Sequence, residues 1–238
     1  MKPGMINRRD VTAWLGAMSV SALLPEPGRA EPRQQPVGTH DAKKSQTVAP
    51  QEALVRLKEG NQRFASGQSR HAHESAALRQ QLESGQHPFA IVLGCSDSRV
   101  PVELIFDQGL GDLFVIRVAG NIITDDVIGS IEYARIHLNT QLLVILGHEG
   151  CGAVTAALEA RNHASPDPHG IQTIVKIIEP AIANVDASLP MPERLNQAVE
   201  SNVRWGQQEL KNLPETRDLL LHTVGAVYDL DGKVGWLT

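Results

Sequence analysis

Apolar residues along the chain fall into short continuous runs, separated by longer stretches where they recur every three or four positions. Phe89-Ala-Ile-Val-Leu-Gly94, Asp112-Leu-Phe-Val-Ile-Arg-Val118 and Gln141-Leu-Leu-Val-Ile-Leu-Gly147 are runs of strand length without polar alternation. Each is therefore expected to be a strand buried on both faces. Between them, Val127 to Leu138 carries a helical stripe of Val127, Ile128, Ile131, Tyr133 and Ala134, and Gly152 to Ala160 starts another helix. Residues 171–186 and 193–212 read as two further helices. Upstream, order begins at Pro50, where Ala53, Leu54, Leu57 and Phe64 share one stripe that stops at Gly60 or Gly67. The tail reads as a closing strand from Leu219 to Tyr228, then Asp231-Gly232, then a hairpin partner from Val234 to Leu237. Strands alternating with helices predict an α/β fold with a mainly parallel central sheet, crossover helices and a C-terminal closing hairpin.

The first thirty residues read as an address. A basic start ends in Arg8-Arg9, an apolar stretch runs from Val11 to Leu24, and small residues near Gly28-Arg29-Ala30 offer a cleavage site. The paired arginines ahead of the apolar segment resemble a twin-arginine export signal, with a plain Sec signal as the alternative. The protein is thus expected to be exported, to the periplasm. From Glu31 to Ala49 the chain is rich in Pro, Gln and Lys and poor in large apolar residues, so it is expected to be a flexible linker. Residues 50–238 then form one domain.

Composition narrows the function. With 42% hydrophobic and 21% charged residues the chain is an ordinary globular protein, and its longest apolar run is too short to span a bilayer, which excludes stable membrane insertion. A net charge of −5 without a basic stripe argues against nucleic acid as a partner. Complete GxGxxG and GxxxxGK[ST] loops are missing, so a nucleotide cofactor is not expected. Two cysteines cannot staple a chain of this length, and need another explanation.

Ligands of open α/β sheets bind beyond the carboxyl ends of the strands. Cys95 directly follows the first predicted strand, and His148 and Cys151 follow the third, so adjacent parallel strands would bring the three together. Two thiolates and an imidazole suit Zn²⁺, and three protein ligands are what a catalytic zinc site keeps while leaving a fourth position open. The start of a helix at Cys151 favours its thiolate. Two inert core cysteines, or a Cys95–Cys151 disulfide in an exported protein, are the alternatives. In Cys95-Ser96-Asp97-Ser98-Arg99, an extended backbone would put Asp97 and Arg99 on one face and within pairing distance. Asp97 would then either take the fourth metal position or pair with Arg99. A surface ion pair is the plainer reading. The remaining histidines lie in polar stretches or, for His137 and His222, within structural elements, and are not expected to be ligands. Gly94, Gly147 and Gly152 are expected to allow tight turns.

Cys95-Ser96-Asp97-Ser98-Arg99, followed by His148-Glu149-Gly150-Cys151-Gly152, resembles the β-class carbonic anhydrases. The likeness extends from Ala53-Leu54-Val55-Arg56-Leu57 through Phe106-Asp107-Gln108-Gly109 and Arg117-Val118-Ala119-Gly120-Asn121 to the closing hairpin. It implies a homodimer or higher homo-oligomer with an N-terminal helical arm embracing its partner. It also implies Zn²⁺ on Cys95, His148 and Cys151, zinc-bound hydroxide attacking CO₂ to give bicarbonate, and an Asp97–Arg99 dyad orienting that hydroxide. Two thiolates donate more charge than a shell of three histidines, so bound water should be less acidic and the dyad more important. Part of the family has an inactive state with Asp97 on the metal. Members showing that switch often carry Trp where this chain has Val92, which puts their second bicarbonate pocket in doubt here. In many members a Gln from a neighbouring loop helps bind substrate, and Gln108 is a candidate of unassigned register. Hydrolysis of COS or CS₂ at the same site, and a non-catalytic zinc-binding role, are the rival functions.

Overall fold

The computed structural model describes residues 47–161, 168–213 and 219–237. The predicted signal peptide, the linker up to residue 46, and His40 and His163 lie outside them. Of the predicted linker, Thr47 to Ala49 are described, and Val48 already packs on the core.

Helix α1 (Pro50–Ala65) opens on a proline at its first position and runs straight through Gly60, ending just before Gly67. Gly60 does not stop the helix because it faces inward. A Cβ there would stand 1.8 Å from the carbonyl oxygen of Phe106, so only glycine lets the helix lie this close. A short helix α2 (Ala76–Leu82), which the apolar pattern did not reveal, has no buried residue and is capped by Ser75. Strand β1 (Ala90–Gly94), helix α3 (Val102–Ile105), strand β2 (Leu113–Arg117), helix α4 (Asp125–His137) and strand β3 (Leu142–His148) follow. Helix α5 (Gly152–Ala160) has the predicted bounds. The helix expected over 171–186 is α6 (His169–Ile178) followed by a 3₁₀ turn, Glu179–Ile182, where Pro180 lacks the N–H needed to continue. Helix α7 (Met191–Asn212) leads to strand β4 (His222–Tyr228) and strand β5 (Val234–Leu237).

The sheet order is β2-β1-β3-β4-β5, with the first four strands parallel and β5 antiparallel to β4. The mainly parallel sheet and closing hairpin are as predicted. β1 and β3 are buried at every position, and their alternate residues serve opposite layers. Ala90, Val92, Val144 and Leu146 meet Ala53 and Leu57 of α1 with Val102, Ile105 and Phe106 near α3. Ile91, Leu93, Leu143 and Ile145 meet Val127, Ile131 and Ala134 of α4 and Val203 and Leu210 of α7. Two expectations need correction. β2 is half-buried because it lies at the sheet edge, and Tyr133 of the α4 stripe is 47% exposed because it turns away from the sheet beside Phe114.

Polar anchors fix the loops around this core. Asn61 donates to the carbonyls of Ile105 and Gly232 and accepts from the N–H of Val234, tying α1 to the hairpin. The buried carboxylate of Asp107 accepts from Arg63 Nε and from the N–H groups of Arg70 and His71. Among the described residues no helix is long and apolar enough to cross a membrane.

Candidate metal centre

β1 and β3 are neighbours in the sheet and point the same way, so both end at one edge of the molecule. Cys95 stands one residue past β1, His148 is the last residue of β3, and Cys151 precedes α5 at its N-cap position. Their donor atoms all lie within 4.8 Å of one another, and all three side chains are buried. Both cysteines are free thiols, so the disulfide alternative is not the state described.

The histidine is set for one role. Its Nδ1 lies 2.9 Å from the carbonyl oxygen of Glu149, so Nδ1 carries the proton and donates. Nε2 is then a bare lone pair, buried and without a hydrogen-bond partner. A buried polar atom left unmatched costs free energy, and here it faces two sulfurs. The thiols share one proton. Donation from Cys151, helped by the N–H groups of Gly120 and Asp97, draws the Cys95 thiol down against the effect of burial. The same bond to Cys95, with burial, pushes the Cys151 thiol up. A cation replacing that proton lets both sulfurs be thiolates and gives Nε2 a partner. The donor set therefore fits a soft divalent metal such as zinc.

Around these donors the loop after β1 turns back on itself, and is not extended as expected. The N–H of Val100 donates to the carbonyl of Asp97, at 3.0 Å, and the N–H of Arg99 to Asp97 Oδ1, at 2.9 Å. This turn closes the predicted ion pair in forked form: Arg99 Nε donates to Oδ1 at 3.0 Å and Nη2 to Oδ2 at 2.8 Å. The Arg99 guanidinium holds the Asp97 carboxyl far below the usual carboxylate range. Asp97 Oδ2 stands 3.9 Å from His148 Nε2, which places an ionised carboxylate against the donor set. Arg99 Nη2 also donates to the carbonyl of Gly150, linking the loops that follow β1 and β3.

Two positioning residues have no assigned role in the sequence reading. Arg117, at the end of β2, donates to the carbonyls of Cys95 and Asp97 and so braces the loop bearing both. Gly120 donates its N–H to Cys95 Sγ at 3.3 Å. It has φ of 72°, and a Cβ there would approach Ile178 to 2.8 Å, so glycine is needed twice over. Their signal was a long donor at a strand end and a glycine in the next turn, which many unrelated loops share. Gln108 spends its Nε2 on the carbonyl of Phe106. Val92 is fully buried in the core between sheet and α1. Gly94 and Gly147 lie within strands, and the left-handed turn before α5 is made by Gly150.

Residues 90–234 match the family model described as carbonic anhydrase. The chain is 40% identical over 190 residues to a carbonic anhydrase of Mycolicibacterium smegmatis, a match covering 78% of this chain and 92% of that protein. It is 48% identical over 133 residues to carbonic anhydrase 2 of Mycobacterium tuberculosis. That match covers 56% of this chain and 64% of the relative, a little under two thirds of its length. Among solved structures, a tetrameric β-carbonic anhydrase of the ascomycete Sordaria macrospora superposes with a TM-score of 0.63 at 28% identity, over 75% of this chain and 93% of that one. The β-carbonic anhydrase CcaA gives the same TM-score at 29% identity, over 78% and 95%.

Proposed function

The chain belongs to the β-class carbonic anhydrases, and on that premise we propose that it is a zinc enzyme interconverting CO₂ with bicarbonate and a proton. The observation that carries this is the buried Cys95–His148–Cys151 donor set, its Nε2 unpartnered, beside an ionised Asp97.

Cys95, His148 and Cys151 would hold the zinc. When bound, zinc is a Lewis acid that lets water ionise near neutral pH and so supplies a nucleophile for CO₂. Three donors leave room for that water and for substrate. Asp97, held ionised by Arg99, would accept a hydrogen bond from that water and align it, acting as a fixed acceptor. Arg99 occupies both Asp97 oxygens, keeping the carboxylate beside the metal position and off it. Arg117 and Gly120 keep Cys95 and its loop in register. The purified, zinc-loaded chain is expected to speed CO₂ hydration in a stopped-flow indicator assay and to be far slower with COS or CS₂. Turnover of either sulfur gas with no CO₂ hydration would reassign the site to that chemistry, and full zinc without any turnover would make it a binding protein.

The chain works as a homo-oligomer. Support comes from its half-buried edge strand, its exposed Tyr133 and Ile136, and its likeness to a tetrameric fungal enzyme. Light scattering counts the copies.

It is exported through its Arg8-Arg9 leader. Two reduced thiols destined for zinc are better loaded in the cytosol than in an oxidising compartment, and a twin-arginine route moves folded protein. Replacing both arginines with lysine should trap the uncleaved precursor inside, as read by fractionation and immunoblotting. Unchanged export would point to the Sec route.

A further inference from the structure

Glu149 stands between His148, the last residue of β3, and Gly150, whose φ of 66° turns the chain toward α5. It is exposed, yet its side chain is not left to solvent. Its Oε2 accepts from the N–H of Leu230 at 3.1 Å, and its own N–H donates to the carbonyl of Tyr228 at 2.9 Å. Main chain and side chain of one residue are thus both fastened to the β4–β5 hairpin. The hairpin turn is itself held firmly. The N–H of Asp229 donates to the carbonyl of Lys233, that of Gly232 donates to the carbonyl of Asp229, and Asn61 of α1 grips the turn at Gly232 and Val234.

The carbonyl of Glu149 is the acceptor for His148 Nδ1, at 2.9 Å. A bond from a ring to the very next carbonyl needs one setting of the 149–150 peptide plane, and turning that plane over points the carbonyl away from the ring. Glycine at 150 makes the turnover sterically cheap, because glycine takes either sign of φ about equally well and the common type I and type II turns differ by just this rotation. The plane therefore needs fastening. On its far side Arg99 Nη2 donates to the carbonyl of Gly150 at 3.2 Å. On its near side Glu149 is fastened twice, at its N–H and at its carboxylate. Any residue but proline offers the N–H, whereas the bond to Leu230 needs a side chain that ends in an acceptor oxygen.

We propose that Glu149 is a positioning residue for the metal centre: by anchoring on the Leu230 N–H it locks the 149–150 peptide, whose carbonyl keeps the proton of His148 on Nδ1 and leaves Nε2 to the metal. The role rests on the zinc reading of the site given above. A metal-binding histidine is held in tautomer and orientation by the acceptor on its other ring nitrogen, and disturbing that acceptor typically costs roughly 10 to 100-fold in metal affinity. Glu149 acts on this acceptor at one remove. Its loss should therefore fall at the lower end, about tenfold.

The test is competition for zinc between a chromophoric chelator and the full chain, as wild type, Glu149→Ala and Glu149→Gln. Glu149→Ala, at an exposed position where folding is safe, should bind zinc about tenfold more weakly. Glu149→Gln should stay close to wild type, because its amide oxygen still accepts from the Leu230 N–H. Thermal melting separates this role from a bond that merely holds the hairpin. Such a bond would lower the melting temperature of zinc-free and zinc-loaded chains alike, whereas weaker binding also shrinks the rise that zinc produces. Equal zinc affinity in wild type and Glu149→Ala would overturn the role of Glu149 and leave the metal centre as it stands. So would an equal loss in both variants, which would make the charge of Glu149, and not its anchor, the cause. A wild-type chain that binds no zinc would overturn the metal reading itself, and this role with it.

Discussion

Replacing Cys151 with serine is expected to yield a folded chain that holds no stoichiometric zinc and has no measurable CO₂-hydration activity. Among the described residues the donor set has three members, and a serine hydroxyl stays protonated at neutral pH, which leaves one thiolate and one imidazole for a metal that binds with three or four ligands. The effect should far exceed the roughly 10 to 100-fold loss that follows when only an outer hydrogen-bond partner is disturbed. Loss of the fold is not the cause to expect. Cys151 is the N-cap residue of α5 and makes no side-chain cap, whereas serine is among the best residues there. Metal content after gel filtration measures the first outcome. A second readout is thermal: a chelator should lower the melting temperature of the wild-type holoenzyme and leave that of the variant unchanged, because binding only to the native state stabilises it. Retention of one zinc per chain in the variant would overturn the ligand assignment and the mechanism built on it.

The parts of this site that the amino-acid pattern revealed are those whose chemistry is written in residue type. β1 and β3 stood out because burial on both faces forces continuous apolar runs, and the ends of such runs located Cys95 and His148 directly. β2 carries an equally apolar run yet is only half-buried in the single chain. A run of that kind reports that a strand is to be covered, and does not say whether its own chain covers it. Tyr133 misled for a related reason, since a helical stripe includes any apolar residue near the right phase. The bend of Asp97 to Val100 into a turn was hidden because its stabilising bonds run to the backbone. Arg117 and Gly120 were hidden likewise: one donates to carbonyls, and the other acts through its own N–H.

Asp97→Asn is expected to keep its zinc and lose most of its rate. The three metal donors are untouched, so metal content should stay at the wild-type level. The amide has nearly the shape of the carboxylate but offers one acceptor oxygen where the carboxylate offers two, so Arg99 loses one arm of its fork. It also carries no charge, so the fixed negative acceptor that aligns the nucleophile is lost, which should lower the rate by about 10²-fold or more. Arg99→Ala should lower the rate by a different path. It leaves the carboxylate in place but frees both oxygens to swing toward the three donors and take up a metal position, since Oδ2 already stands 3.9 Å from His148 Nε2. Neither change should cost much stability, because Arg99 is half exposed and ion pairs in contact with water contribute little to folding. Rate and stability thus separate the two meanings of this pair. A structural ion pair would lose a little stability and no rate, whereas a pair acting on substrate loses rate at nearly constant melting temperature. Near-normal CO₂ hydration by Asp97→Asn, at neutral and at alkaline pH alike, would make the pair a surface salt bridge and leave the reaction to the metal and its three donors.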